Sequence, residues 1–210
     1  MAEKTPLFPL LALSRLRMEA DGEGVTTLVA GAGCPLGCAY CINKTLLAKK
    51  KPEYVTPQTL FARTRIDNLY FQATGGGLCF GGGEALLHAA FIAAFKEQYG
   101  DAWKLTAETA LNVPAAAVET AAECMDAFIV DVKTMDPDVY RRYTGQDNRR
   151  VCENLRLLAA SVPPEKVLLR VPLIPGYNDE ADQRKSVEVL KEMGFTRFDL
   201  FRYRIKKKES

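Results

Sequence analysis

Cys34, Cys38 and Cys41, in the stretch GAGCPLGCAYCIN, set three thiols on one short loop at the spacing CxxxCxxC. Thiolates hold iron-sulfur clusters, and three of them can ligate three irons of a four-iron cluster while the fourth iron lacks a protein ligand. A small molecule can bind at that open iron and receive an electron there, whereas a cluster with four cysteines mainly passes electrons onward. Structural zinc usually takes four protein ligands and a CxxC redox motif needs only two, so the spacing favours an open-site cluster. The plain alternative is chance spacing of buried cysteines. Cys79, Cys124 and Cys152 lie in apolar or helical surroundings with no CxxC partner and read as buried structural thiols, which leaves one cluster expected.

Such a loop needs a scaffold. Apolar runs bounded by Gly, Pro or charged residues predict strands over 25–30, 77–80, 104–107, 127–131, 166–171 and 197–202. Between them, helices are expected after the Thr56-Pro57 cap and over 86–98, 114–124, 149–160 and 180–193, the last closed by Gly194. Strands alternating with helices imply parallel pairing with right-handed crossovers. The fold class expected is α/β, an open, partial parallel βα barrel of about six strands. A single domain over 1–210 would carry a short N-terminal extension over 1–22 and stop soon after the last strand.

That layout gathers polar segments at one rim, because loops leaving the carboxyl ends of parallel strands converge on the ligand. The cysteine loop follows the first strand, Gly81–Glu84 the second, Glu108 and Thr109 the third, and Asp131 with Lys133 the fourth. Glycines 81 to 83 let backbone approach a ligand with no Cβ in the way, or simply make a strand-to-helix turn. Lys133 ends an apolar strand, and Arg170 interrupts the run VLLRVPLIPG. A guanidinium in a strand built for burial needs a partner, either an anionic ligand or a carboxylate on a neighbouring strand.

Composition sets outer limits. Lys plus Arg number 28 against 26 acidic residues, a net charge of +2, which excludes strong attraction to nucleic acid or to an anionic membrane. The run Lys206 to Lys208 reads as a solvated tail. No apolar stretch approaches the ~20 residues of a membrane span. The first twenty residues, MAEKTPLFPLLALSRLRMEA, carry Pro6 and Pro9 in their apolar core and lack a signal-peptide pattern, so a reducing cytoplasm is expected. The single histidine, His88, has no second ligand nearby in sequence and reads as a packing or surface residue.

The triad with Tyr40 before its last cysteine and Asn43 after it, followed by GGGLCFGGGEALL, resembles the cluster loop and GGE segment of radical S-adenosylmethionine (radical SAM) enzymes. AETALNVP, VDVKTMDPDVYRRYTG and LLRVPLIPGYNDE, in that order, are most similar to activating enzymes of glycyl radical enzymes, of the pyruvate formate-lyase activating type. The resemblance runs from about Asp21 to Glu180. It implies a 4Fe-4S cluster on the three cysteines and S-adenosylmethionine (SAM) as cofactor, with Tyr40, Gly82, Gly83, Glu84, Glu108, Lys133 and Arg170 in the cofactor site. It also implies a monovalent cation among Glu108, Thr109 and Asp131, although Glu108 stands where the family has aspartate. The partners implied are a glycyl radical enzyme as protein substrate and a flavodoxin-like or ferredoxin-like electron donor. Ile42 replaces a frequent histidine, and the last strand, RFDLFRYR, lacks the family's cofactor-contacting histidine, for which Tyr203 and Arg202 are the candidates. Two other classes share part of this pattern: a radical enzyme acting on a peptide or small molecule, of maturase or carboxydeazaguanine synthase type, and a non-enzymatic iron-sulfur carrier, which needs no GGE segment.

Overall fold

Six apolar runs become six parallel strands in a computed structural model that describes residues 5–18, 20–49, 51–100 and 102–204. They are β2 (Val25–Gly31), β4 (Gly77–Gly82), β5 (Lys104–Thr109), β6 (Ala127–Asp131), β7 (Val167–Leu173) and β8 (Arg197–Arg202). Two antiparallel strands, β1 (Phe8–Met18) and β3 (Glu53–Val55), extend the sheet, and its order is β3-β1-β2-β4-β5-β6-β7-β8. The ends do not pair, so the barrel is open, as expected. The segment expected as an N-terminal extension is therefore largely sheet. Pro9 and a break of register between Ser14 and Arg17, where Leu16 takes a φ of 53°, disguise β1 as a non-strand. The Lys206–Lys208 tail lies outside the described residues.

Strand alternation sorts the chemistry. Leu78, Phe80, Leu105, Ala107, Phe128, Val130, Leu169 and Val171 join the hydrophobic core. That core is covered by α4 (Ala89–Tyr99), α5 (Ala115–Cys124) and α7 (Arg149–Ser161), among others. Residues between them in sequence point the other way, so Cys79, Gly81, Glu108, Asp131 and Arg170 share the inner face. Phe8 of β1 lies over Gly31, where a Cβ would come within 2.7 Å of the ring, and meets Phe80 edge-on with centroids 5.8 Å apart. Glycine at 31 is thus a packing requirement.

The remaining helices are α1 (Lys44–Lys49), α2 (Pro57–Thr64), α3 (Asn68–Thr74), α6 (Pro137–Thr144) and α8 (Glu180–Glu192). Asp136 caps α6 by accepting from the Asp138 and Val139 amides, Pro137 occupies its first turn and Gly145 stops it at φ 78°. Asp179 and Asp182 form a capping box on α8. The expected helix over 86–98 begins instead as a 3₁₀ turn at Ala85–His88. At the opposite end, the β1–β2 turn reaches under the sheet: Glu23 bonds Lys104 at 2.8 Å and lies 3.8 Å from Arg197, at the starts of β5 and β8. Among the described residues no helix is long and apolar enough to cross a membrane.

Candidate active site

The cysteine loop leaves β2 and is fastened on three sides. Ala32 donates to the Pro9 carbonyl at 2.9 Å, Gly37 to Thr144 at 2.8 Å and Ala39 to Tyr143 at 3.0 Å, the last two at the end of α6. Cys41 donates to the Cys38 carbonyl at 3.3 Å, which folds the CAYC segment into a turn. Cys34 is exposed, and Cys38 and Cys41 are half-buried. Burial pushes the Cys38 thiol up to about 11, against the opposing pull of Lys133. Thiolate, not thiol, binds metal, so loading must expel this proton. Between pH 7 and 9 the thiolate fraction rises about tenfold per unit. Anaerobic cluster reconstitution, followed at 400 nm, should therefore speed up across that window, and a flat profile would remove Cys38 from the loading step.

Among the described residues no three His, Cys, Asp or Glu side chains converge on a point suited to one metal ion. A four-iron cluster makes a different demand, because each cysteine takes its own iron and the ligands stand wider apart. Cys34, Cys38 and Cys41 are close enough for Cys34 and Cys41 to act electrostatically on Cys38, and no fourth cysteine lies on the loop. The buried Tyr140 hydroxyl lies within electrostatic range of Cys38, beside the Asn112 side chain. The donor set fits a cluster with one iron left open.

The GGE segment packs directly on this loop. Glu84 donates from its amide to the Gly33 carbonyl at 2.8 Å, Gly83 to Gly31 at 3.1 Å, and Asn43 Nδ2 donates to the Gly82 carbonyl at 2.7 Å. A Cβ at Gly83 would stand 2.1 Å from the Gly33 oxygen, and Gly82 takes a φ of 84°. Gly83 is thus explained by backbone meeting backbone, and Gly82 by its left-handed φ against Ala30. Glu84 itself is 2% exposed and turned inward. Its carboxylate accepts from the Thr109 hydroxyl at 2.5 Å and from the amides of Ala110 at 2.9 Å and Leu86 at 3.1 Å. Burial raises its pKa, and these donors oppose the rise. Glu84 therefore ties β4 to β5, and what the segment can offer a ligand is main chain.

Lys133 follows β6 with φ at 66°, a left-handed conformation that costs a side-chain-bearing residue about 1 kcal/mol or more. It is 7% exposed, and its ammonium donates to Asp131 at 2.6 Å and to the Tyr203 hydroxyl at 3.1 Å. Of the two candidates on the last strand, Arg202 is exposed and Tyr203 faces the site. Arg170 already holds carboxylates of the sheet: Nη1 reaches across β6 to donate to Glu108 on β5 at 2.7 Å, and Nε lies 3.5 Å from Asp199 on the adjacent β8. Burial and Asp131 raise the Glu108 pKa while Arg170 opposes them.

Tyr40 donates to the Pro175 carbonyl at 3.2 Å and stands edge-on to Tyr177, centroids 5.6 Å apart. Tyr143 touches both rings and lies 6.3 Å from Tyr203. Of this aromatic wall beside the cysteines, Tyr40 and Tyr203 are expected from the sequence, whereas Tyr143 and Tyr177, with the nearby Tyr140, are not. The available signal was the i, i+3 spacing of Tyr140 and Tyr143 in PDVYRRYT, one face of a helix. His88 packs against Phe8 at 5.0 Å and holds the Ala32 carbonyl at 2.8 Å, a packing role. Cys79 and Cys124 are buried as expected, and Cys152 is half-buried.

The family model of the Radical SAM superfamily matches residues 28–186. Isethionate sulfite-lyase activating enzyme of Desulfovibrio desulfuricans is 34% identical over 150 residues, covering 70% of this chain and 47% of that protein. Pyruvate formate-lyase 2-activating enzyme of Escherichia coli is 29% identical over 203 residues, covering 81% of this chain and 68% of the relative. The chain thus spans about half the length of the first and two thirds of the second. Streptococcus suis SuiB superposes with a TM-score of 0.65 at 15% identity over 86% of this chain and 40% of that one, a likeness of fold. The matched span runs from β2 into α8 and holds the three cysteines, the GGE segment, Lys133 and Arg170, and on that ground the chain belongs to the radical SAM superfamily.

Proposed function

We propose that this chain cleaves S-adenosylmethionine reductively at a 4Fe-4S cluster on Cys34, Cys38 and Cys41, and removes a hydrogen atom from a glycine Cα of a partner glycyl radical enzyme. The observation that carries the reading is the bonding of the cysteine loop to the Gly82–Glu84 segment, on the rim that also holds Lys133. The activating-enzyme names of the relatives support the partner class. When bound, the cluster and SAM supply methionine and a 5′-deoxyadenosyl radical on receipt of an electron.

The chain's residues orient and exclude. The main chain at Gly82 and Gly83, which carries no side chains, would hold the amino group of SAM. Lys133 offers a buried point charge to the cofactor carboxylate, and its short bond to Asp131 holds the ammonium in place. The rings of Tyr40, Tyr143, Tyr177 and Tyr203 keep water from a species that attacks any nearby C–H bond. A glycine enters such a site because it brings no side chain. A flavodoxin-like or ferredoxin-like protein supplies the electron, in a reducing, oxygen-poor cytoplasm.

Reconstituted protein, dithionite and SAM, incubated with a peptide carrying the RVxGY pattern of glycine-radical loops and deuterated at the glycine Cα, test this reading. Deuterium should appear in the 5′-deoxyadenosine, read by mass spectrometry. Unlabelled nucleoside formed at the same rate with and without peptide would move the function to a peptide or small molecule of another kind.

A further inference from the structure

The resemblance to activating enzymes puts a monovalent cation among Glu108, Thr109 and Asp131, but the structure divides these three among other partners. Thr109 follows Glu108 on β5, so alternation sends its hydroxyl to the opposite face, where it donates to Glu84 and accepts from the Leu111 amide at 2.9 Å. Glu108 and Asp131 do share the inner face. Parallel register sets Glu108 opposite Ile129 and Asp131 opposite Arg170, which places Asp131 one inward position beyond Glu108 and at the level of Arg170 on the adjacent strand. Two carboxylates that close repel each other unless positive charge stands between or beside them. Here that charge is covalent to the chain: Arg170 lies 2.7 Å from Glu108, and Lys133 lies 2.6 Å from Asp131.

The extra methylene of glutamate extends the Glu108 carboxylate toward Arg170. Asp199, opposite Arg170 on β8, and the Ala20 carbonyl below it hold the guanidinium from its other sides. Asp21 is already paired with Arg17.

We propose that the Arg170 guanidinium and the Lys133 ammonium take the place of the monovalent cation, with Glu108 as the residue that positions Arg170, so that this chain binds SAM without an alkali-metal ion. The proposal rests on the radical SAM reading and is independent of the glycyl radical partner. Its consequence is that cation identity drops out of cofactor binding, since a built-in charge is neither exchanged nor diluted.

The test is equilibrium dialysis of SAM against reconstituted protein, without a partner, in sodium, potassium and choline chloride at one ionic strength, which holds screening constant. The Kd should agree within about twofold across the three salts. Tenfold weaker binding in choline would overturn the proposal, whereas no binding in any salt would instead count against the cofactor site. A second readout uses the chain free of cluster and SAM. Arg170→Gln removes the charge that compensates Glu108, one inward position from Asp131, so potassium should bind there and raise its Tm above that in choline, while wild type melts alike in both. Glu108→Asp, too short for the guanidinium, should gain the same dependence and covers the case in which Arg170→Gln does not fold. A wild-type Tm that itself rises in potassium would sink the proposal.

Discussion

Cys38→Ala loses the cluster and with it 5′-deoxyadenosine formation, by about 10³-fold or more, equivalent to about 4 kcal/mol of barrier. The size of the effect follows from chemistry rather than stability. A four-iron cluster already short of one protein ligand has no spare cysteine to recruit, since Cys79 is fully buried on β4 and Cys124 and Cys152 lie on helices across the core. The loop does not depend on this thiol for its shape. Backbone bonds from Gly37 and Ala39 to the end of α6, and from Glu84 and Gly83 to Gly33 and Gly31, hold it without help from sulfur. The variant should therefore fold with an unchanged melting profile before reconstitution, and lose iron content, the 400 nm absorbance and the nucleoside together. Cys124→Ala, 7% exposed and remote from the loop, is the control, expected to cost about 1 kcal/mol of stability and to keep full activity. Wild type that holds a full cluster and still forms no nucleoside would end the radical reading and leave an electron carrier.

The parallel half of the sheet was legible because each of its strands is a short apolar run between breakers, and the rim was legible because polar residues follow those runs at once. β1 was hidden by Pro9 and by a bulge at Leu16, features that lower the odds of a strand although pairing on both sides overrides them here. Helix α6 was hidden inside a motif, although its cap, its first-turn proline and its terminal glycine were all readable in DPDVYRRYTG. Which residues stand at the site was readable from the chain. Which of them bond one another was not: Thr109 lies 25 positions from Glu84, and Arg170 lies 62 from Glu108. Those pairings depend on the register of parallel strands, which local sequence does not specify. Hence Arg170 reads first as a ligand for an anionic cofactor, and its internal pair shows only when β5, β6 and β7 are laid side by side.

Glu84→Ala separates a structural glutamate from a ligand. Three donors, the Thr109 hydroxyl and the amides of Ala110 and Leu86, end on one carboxylate that is 2% exposed. Truncation strands them in a region too tightly closed to readmit water freely, and each buried unpaired donor costs about 1–3 kcal/mol. Partial relaxation shares some of that, so a total of about 3–5 kcal/mol is expected, a large part of the roughly 5–15 kcal/mol that holds a domain together. Glu84→Gln keeps the shape and one acceptor but turns an NH₂ toward groups that are themselves donors, and should cost about 1–3 kcal/mol. Urea unfolding of the chain without cluster or SAM reads both numbers directly. Thr109→Val, which removes one of the three donors and also the acceptor of the Leu111 amide, should cost less than Glu84→Ala. If the urea midpoint of Glu84→Gln matches wild type while SAM binds more weakly to the reconstituted variant, the carboxylate faces the cofactor after all. A lowered midpoint, with SAM affinity reduced no more than the lost stability accounts for, places the role of the GGE segment in its main chain and leaves Glu84 as the clamp that holds that main chain against the cysteine loop.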